Sequence, residues 1–390
     1  MTESVVVTGY GVFNVFGFGA DALRHGVFGG RSGFGPLTRF DTTGFRGRIA
    51  AAHPPDLQAC ELRQYPVLRR CAEAALEMAG LRTAPGAPVL IGTQGDHTVL
   101  SNWWRSKTSG AVPGRALPGL AAELPYRLGE ELGLGKPRLA FQNACVASSD
   151  AVLHGCRLIE QGHADVVVCG GVYLVEQEFF AKFDSGRACA RDGRVRPFDR
   201  SRSGLLLGDG AGVAVLESAR HARARGAEPL VAVAGWALAG DAYHVVRPHP
   251  EGAGLAAAIR GALARARLEP AAIEYVNAHG TGTPANDPAE TAALRRALGG
   301  HADAVPVSST KGATGHMLEA TGIVELIITT LALRDGQLPP TVGLTSPDPR
   351  CDLDYVPVRA RPARLRRALT TNAGFGGLNS AIVLEAYDGD

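Results

Sequence analysis

Three residues in this chain have types and surroundings suited to covalent chemistry. Cys145 stands in Phe141-Gln-Asn-Ala-Cys-Val-Ala-Ser-Ser-Asp150, after a short apolar segment and before a helix-like stretch, Ala151 to Glu160. A thiol at a strand-to-helix turn faces the positive end of the helix dipole. That field favours thiolate, the form that attacks an acyl carbon. His279 lies in Val276-Asn-Ala-His-Gly-Thr-Gly-Thr-Pro284, and His316 in Ser308-Ser-Thr-Lys-Gly-Ala-Thr-Gly-His316. Both follow apolar, strand-like runs and sit among Gly and Thr, where backbone can approach a ligand closely. A thiol with two imidazoles suits covalent capture of an acyl group. The same three side chains could also hold zinc with an open position, and residue types alone leave that alternative standing.

Positioning such groups requires rigid elements, and the chain supplies them. Val5-Val-Val-Thr8, Val89-Leu-Ile91, Val166-Val-Val-Cys169 and Gly212-Val-Ala-Val-Leu216 are short runs of the kind buried on both faces of a sheet. Leu255 to Arg267, Glu290 to Leu298 and Ile323 to Leu333 have helical spacing and alternate with such runs. The alternation predicts an α/β architecture. The best internal boundary is the Arg- and Ala-rich stretch from Ser218 to Glu228, which divides the chain into 1-225, carrying the thiol, and 226-390, carrying both histidines. The reactive groups would then meet where the halves meet, a common place for a ligand cleft.

Composition narrows the function. With 390 residues and 45% apolar content the chain can bury a large core, and a net charge of +2 with 6% aromatics gives nucleic-acid binding little support. The first residues lack a signal-peptide pattern and no apolar run reaches the length of a membrane span, so a cytoplasmic protein is expected. The seven cysteines have no short repeating spacing. Cys60, Cys71, Cys156, Cys169 and Cys351 read as small core hydrophobes. Thr8-Gly-Tyr-Gly11 after a strand is like a dinucleotide loop, but Asn14 stands where the third glycine is required.

Taken in order, Val5-Val-Val-Thr-Gly-Tyr-Gly11, Arg39-Phe-Asp41, Ala144-Cys145, Ala164-Asp-Val-Val-Val-Cys-Gly-Gly171, Arg196-Pro-Phe-Asp199, Gly208-Asp-Gly-Ala-Gly212, the two histidine motifs and Gly374-Phe-Gly-Gly377 resemble the β-ketoacyl-acyl-carrier-protein synthases. Asp150 and Cys351-Asp-Leu-Asp-Tyr-Val-Pro357 look most like the catalytic ketosynthase subunit of bacterial type II polyketide synthases. The resemblance implies a thiolase-like fold of two pseudo-duplicated α/β halves in αβαβα layers. It implies decarboxylative Claisen condensation of a Cys145-bound acyl group with a malonyl thioester on acyl carrier protein. His279 and His316 would then bind the malonyl thioester oxygen, and Lys311 would orient the site, tied down by Glu290. The backbone N–H groups of Cys145 and Phe375 would form the oxyanion hole, with Phe375 also the gate, while Thr281 and Thr283 would hold phosphopantetheine. No cofactor is implied beyond that carrier-borne arm.

Carrier proteins are acidic, so Arg202, Arg364, Arg366 and Arg367, with Arg359 and Arg361 nearby, are the expected docking contacts. The charge-poor strand at 164–171, if left at an open sheet edge, would pair with another subunit. A homodimer is the default, and a heterodimer with a chain-length-factor-like partner the alternative. Two further readings keep the fold: a partner subunit without its own catalysis, which the presence of Cys145 argues against, and acyl transfer or cyclisation without chain extension.

Overall fold

The computed structural model describes residues 3–54, 63–110 and 119–387; Cys60 lies outside them. Ten strands form the main sheet: β1 Val5–Asn14, β2 Val89–Gly92, β3 Arg138–Phe141, β4 Val166–Tyr173, β5 Gly210–Ser218, β6 Val231–Gly240, β7 Tyr275–Asn277, β8 Val307–Ser308, β9 Arg367–Gly374 and β10 Leu378–Ala386. Their spatial order is β8-β7-β9-β10-β6-β1-β5-β4-β2-β3, with the short strand Gly17–Phe18 added beside β1. This order reads the same from either end once each half is numbered from its own first strand. The directions repeat too: β2 is parallel to β3 and β4, and β4, β5 and β1 are antiparallel in turn. In the second half β7 is parallel to β8 and β9, and β9, β10 and β6 are antiparallel in turn. The halves join where Val5, Val6 and Val7 pair with Val233, Ala232 and Val231. On this repeat we propose the division into 1-225 and 226-390.

Of the helices among the described residues, six concern the layers around the site: α1 Gln64–Met78, α2 Glu123–Glu131, α3 Ala147–Glu160, α4 Ala253–Ala266, α5 Asn286–Leu298 and α6 Thr321–Asp335. The first half packs α1 on β1 and β5 and α2 on β2 and β3, while the second packs α4 on β6 and β10, with α5 against α4. Between them lie α3 and α6, in contact with each other and with strands of both halves. The central place of α6 explains its sequence. A helix covered on all sides needs no polar face, and every residue from Thr321 to Leu333 is buried.

One expectation about the sheet fails. The strand at 164–171 is not at an edge: β4 is paired along its length with β5 and through Val168–Gly171 with β2. Its low charge reflects burial on both faces. The first half's edge strand is β3, paired to β2 and carrying a 38% exposed Leu139. It runs directly into the Cys145 turn.

Close approach of α3 to the sheet depends on Gly92. A Cβ there would lie 2.4 Å from Ser148 N and 2.7 Å from Ala147 C, both rigid backbone of the first turn of α3. Gly92→Ala should therefore push that turn off the sheet and destabilise the fold by about 1–3 kcal/mol. Chemical denaturation measures this, and a variant as stable as the parent would show that α3 does not need the glycine.

Candidate active site

Cys145 occupies a 3-10 turn, Ala144–Val146, that leads into α3. Ala144 is held at φ +55°, a left-handed backbone unusual for alanine, and this turn sets the sulfur at the end of the cavity. His316 Nε2 lies 3.0 Å from Cys145 Sγ, and Thr321 Oγ1 lies 3.2 Å from His316 Nδ1. The His316 backbone is fixed between Leu206 and Gly208, donating its N–H to Leu206 O and accepting from Gly208 N. His279 stands edge-on to His316, with ring centroids 5.3 Å apart at 86°. Its loop is tied by Glu290, whose two carboxylate oxygens accept from His279 N and Gly280 N at 2.7 Å each.

Lys311 is fully buried, and its Nζ donates to Glu325 Oε1 at 2.5 Å. This corrects the expected tie from Glu290, whose carboxylate is taken up by the His279 loop and by Thr371 at 2.9 Å. Glu325 also accepts from Asn372 Nδ2 at 2.6 Å, and Ser149 donates to Asn372 Oδ1 at 2.6 Å. A continuous polar chain thus runs from Lys311 to α3, four residues past the thiol. The sequence did carry a signal for Glu325: it is the one acid within the apolar run Ile323 to Leu333.

Burial governs the protonation states. It drives both imidazoles well below the ordinary histidine range, with the Lys311 charge acting in the same direction, so His279 and His316 are neutral. Burial also pushes the Cys145 thiol up to about 12, and Glu319 adds to this while Lys311 opposes it. The helix-dipole expectation of a resting thiolate is therefore overturned: desolvation outweighs the dipole at this turn. With the proton of neutral His316 on Nδ1, shared with Thr321, Nε2 is free to accept the thiol proton as the sulfur attacks.

A cavity of about 770 Å³ opens onto these groups, lined by Cys145, His279, His316, Thr281, Thr283 and Phe375 among others. Thr281 Oγ1 and Thr283 Oγ1 are 3.0 Å apart, and Thr283 Oγ1 accepts from Asn286 N. Phe375 is 43% exposed and stacks on Phe183 at 5.7 Å. A Cβ on Gly374 would sit 3.4 Å from Cys145 N, so the end of β9 brings the Phe375 backbone up to the nucleophile.

Of the expected docking arginines, Arg202 is corrected. Arg202 is buried, with Nη1 donating to Asp348 at 2.6 Å and Nε to Thr283 O at 3.0 Å, so it braces the threonine loop. Arg364 and Arg366 are exposed and precede β9, and Arg367 begins it, about 23 Å along the strand from Gly374. Arg367 pairs with Glu385. The Lys and Arg residues lining the cavity are Lys182, Arg187 and Arg247, which come from separate parts of the chain. The zinc alternative also loses support: among the described residues no three His, Cys, Asp or Glu side chains are grouped to hold a metal ion.

A buried thiol hydrogen-bonded to a neutral histidine, with a second histidine and a paired lysine behind it at the junction of a duplicated α/β fold, defines a thiolase-fold acyltransferase. The chain belongs to the β-ketoacyl synthase family, whose N-terminal domain matches residues 2–222 and C-terminal domain residues 230–345. It is 36% identical to 3-oxoacyl-[acyl-carrier-protein] synthase 2 of Synechocystis sp., across 99% of this chain and 98% of that one. It is 37% identical to the tetracenomycin polyketide synthase ketoacyl synthase alpha subunit of Streptomyces glaucescens, across 98% and 97%. Among solved structures it superposes on the ishigamide ketosynthase/chain length factor with a TM-score of 0.92 at 32% identity, covering 99% of this chain and 100% of that one. A type II polyketide synthase acyl-carrier protein in complex with its ketosynthase bound to the hexaketide gives 0.89 at 26%, with the same coverage. The chain is a β-ketoacyl-acyl-carrier-protein synthase of fatty-acid or polyketide biosynthesis. Among the described residues no helix is long and apolar enough to cross a membrane.

The raised thiol pKa has a direct consequence. Alkylation of Cys145 by iodoacetamide, followed by peptide mass mapping, should accelerate about tenfold per pH unit from pH 7 to 10 without levelling off. A rate already at its plateau at pH 7 would mean a resting thiolate.

Proposed function

We propose that Cys145 is the acylated nucleophile, and that His279 and His316 drive decarboxylation of the malonyl thioester that attacks the held acyl group. The observation that carries this reading is the 3.0 Å contact between His316 Nε2 and Cys145 Sγ, with neutral His279 beside it. At capture, Sγ bonds to the carbonyl carbon, the C–S bond to the phosphopantetheine breaks, and the thiol proton passes through His316 Nε2 to the departing pantetheine sulfur. The N–H groups of Cys145 and Phe375 stabilise the tetrahedral oxyanion.

In the condensation step the malonyl C–C bond breaks, carbon dioxide leaves, and its electron pair forms an enolate whose oxygen accepts from the two imidazoles. The resulting carbanion attacks the acyl carbonyl and expels the Cys145 thiolate, which takes up one proton from water to return to the resting thiol. Because the Thr321 hydroxyl both donates and accepts, either tautomer of His316 is accommodated. Burial keeps the imidazoles neutral, and Lys311, held by Glu325, adds to it. Thr281 and Thr283 bind the phosphopantetheine arm, and Phe375 moves between its glycine neighbours to admit the malonyl group. Lys182, Arg187 and Arg247 attract the acidic carrier, and the setting is cytoplasmic. No other bound cofactor enters the steps.

Intact-protein mass spectrometry after incubation with acyl-loaded carrier protein should find the acyl mass on the parent and none on Cys145→Ala; equal labelling would sink the assignment. His279→Ala should lower condensation about a hundredfold or more while acylation survives better, whereas His316→Ala should lower both, because it also removes the acceptor of the thiol proton.

The finer placement, as the catalytic subunit of a type II polyketide system, draws on the likeness to the alpha subunit and to the ketosynthase/chain length factor. We take the assembly as a dimer through the β3 edge, of two copies by default or with a chain-length-factor-like partner. Light scattering on the chain expressed alone tests this. A stable monomer would defeat the dimer, and aggregation relieved only by coexpression would favour the partner.

A further inference from the structure

The cavity wall near Cys145 holds a carboxyl group that the reaction above does not use. Glu319 lies on the short turn Leu318–Ala320, between the His316 loop and α6. It is only 3% exposed, yet it lines the same cavity as Cys145 and Phe375. Leu318, just before it, is held at φ +42°, a left-handed backbone that costs energy for a leucine and marks a turn fixed by its surroundings. The turn is pinned against the sheet, because a Cβ on Gly171 would meet Glu319 O at 2.9 Å. Among the charged groups acting on the Cys145 thiol, Glu319 has the largest effect.

Few side chains serve it. Burial pushes Glu319 up to about 7, offset by a backbone hydrogen bond of its own residue and, from side chains, by Gln94 and Lys182, two other cavity-lining residues. Lys182 has its ion pair elsewhere, with Glu178 at 2.7 Å, and Gln94 Nε2 donates to Gln142 O at 3.2 Å. Glu319 has no ion pair among the described residues, and Phe179, Phe183, Leu205 and Leu318 supply the apolar part of the lining. A carboxyl in such a wall is costly to dehydrate unless whatever fills the cavity donates to it. A plain alkyl chain would displace water and give nothing back.

We infer that Glu319, with Gln94 beside it, is a specificity determinant that selects a Cys145-bound acyl group bearing a hydrogen-bond donor, a hydroxyl or an ammonium, on its chain. The inference rests on Cys145 being the acylated residue. Both substituents donate, and the carboxyl accepts from either whether or not it is ionised. A site built to hydrogen-bond a substrate group rejects the analogue that lacks it far more strongly than an apolar pocket rejects a small change in size.

The test offers the full-length enzyme butyryl, 3-hydroxybutyryl and 3-aminobutyryl pantetheine thioesters and follows Cys145 acylation by intact mass. The parent should favour the better of the two donor-bearing thioesters over butyryl by at least about tenfold. Glu319→Gln, of nearly the same shape, should shrink that ratio severalfold, and Glu319→Ala should abolish it. A ratio is insensitive to how much of a variant is folded, so a purely structural role for Glu319 would leave it unchanged. A parent without preference, or a preference untouched in both variants, overturns the inference while leaving acylation of Cys145 intact. Failure of every thioester to acylate the parent would overturn the nucleophile assignment, and this inference with it.

Discussion

The whole site depends on a charge that is kept out of water. Lys311 has no exposed surface, and the carboxylate that compensates it comes from the middle of α6, which is itself enclosed. Dehydrating an ammonium and a carboxylate costs several kcal/mol per ion, on the order of what a short, well-bonded contact returns. The pair survives because its remaining bonding capacity is used: Glu325 takes a second hydrogen bond from Asn372, and Asn372 one from Ser149. These residues belong to α6, β9 and α3, so the chain of contacts crosses from the lysine loop of one half to the nucleophile helix of the other. Removing either ion would strand the other beside the imidazoles.

Burial sets the acid–base character of the site, and that cation modifies it. A histidine next to a carboxylate tends to gain a proton, whereas His279 and His316 face Lys311 and are dehydrated, so both effects favour the neutral ring. Neutral imidazoles can donate to a developing enolate without presenting a strong acid that would protonate it at once. At the thiol the two effects oppose each other: Lys311 favours the thiolate and burial outweighs it. It rests as S–H and gives up its proton when an acyl carbon is in reach, which protects a nucleophile held in a cavity of about 770 Å³ from idle reaction.

Precision at the reacting atoms comes from backbone that is crowded or strained. Gly92 lets α3 lie against β2, and Ala144 and Leu318 are held in left-handed conformations on either side of the cavity. Such conformations persist only when the surrounding packing over-determines them, and here that packing is the meeting of α3 and α6 between the two half-sheets. Strain and packing support each other: the helices fix the turns, and the turns present Cys145 and Glu319 to one space.

By itself the sequence determined the α/β class, the runs that became β1, β2, β4 and β5, and the short motifs that hold Cys145, His279, His316 and Lys311. Those readings rest on local properties: apolar periodicity, glycine-rich loops, and motifs confined to a few consecutive residues. Tertiary structure alone decided which acid neutralises Lys311, because Glu290 and Glu325 are both near in sequence and only the placement of α6 separates their roles. It buried Arg202 and carried Arg364, Arg366 and Arg367 to the far end of β9, since exposure and distance are properties of the assembled chain. It made β4 an interior strand and β3 the edge, because low charge marks burial without saying whether a neighbouring strand or a partner supplies it. And it reversed the expected state of the thiol: the helix dipole is legible from a strand-to-helix pattern, but the desolvation that outweighs it exists only once both halves have closed over Cys145.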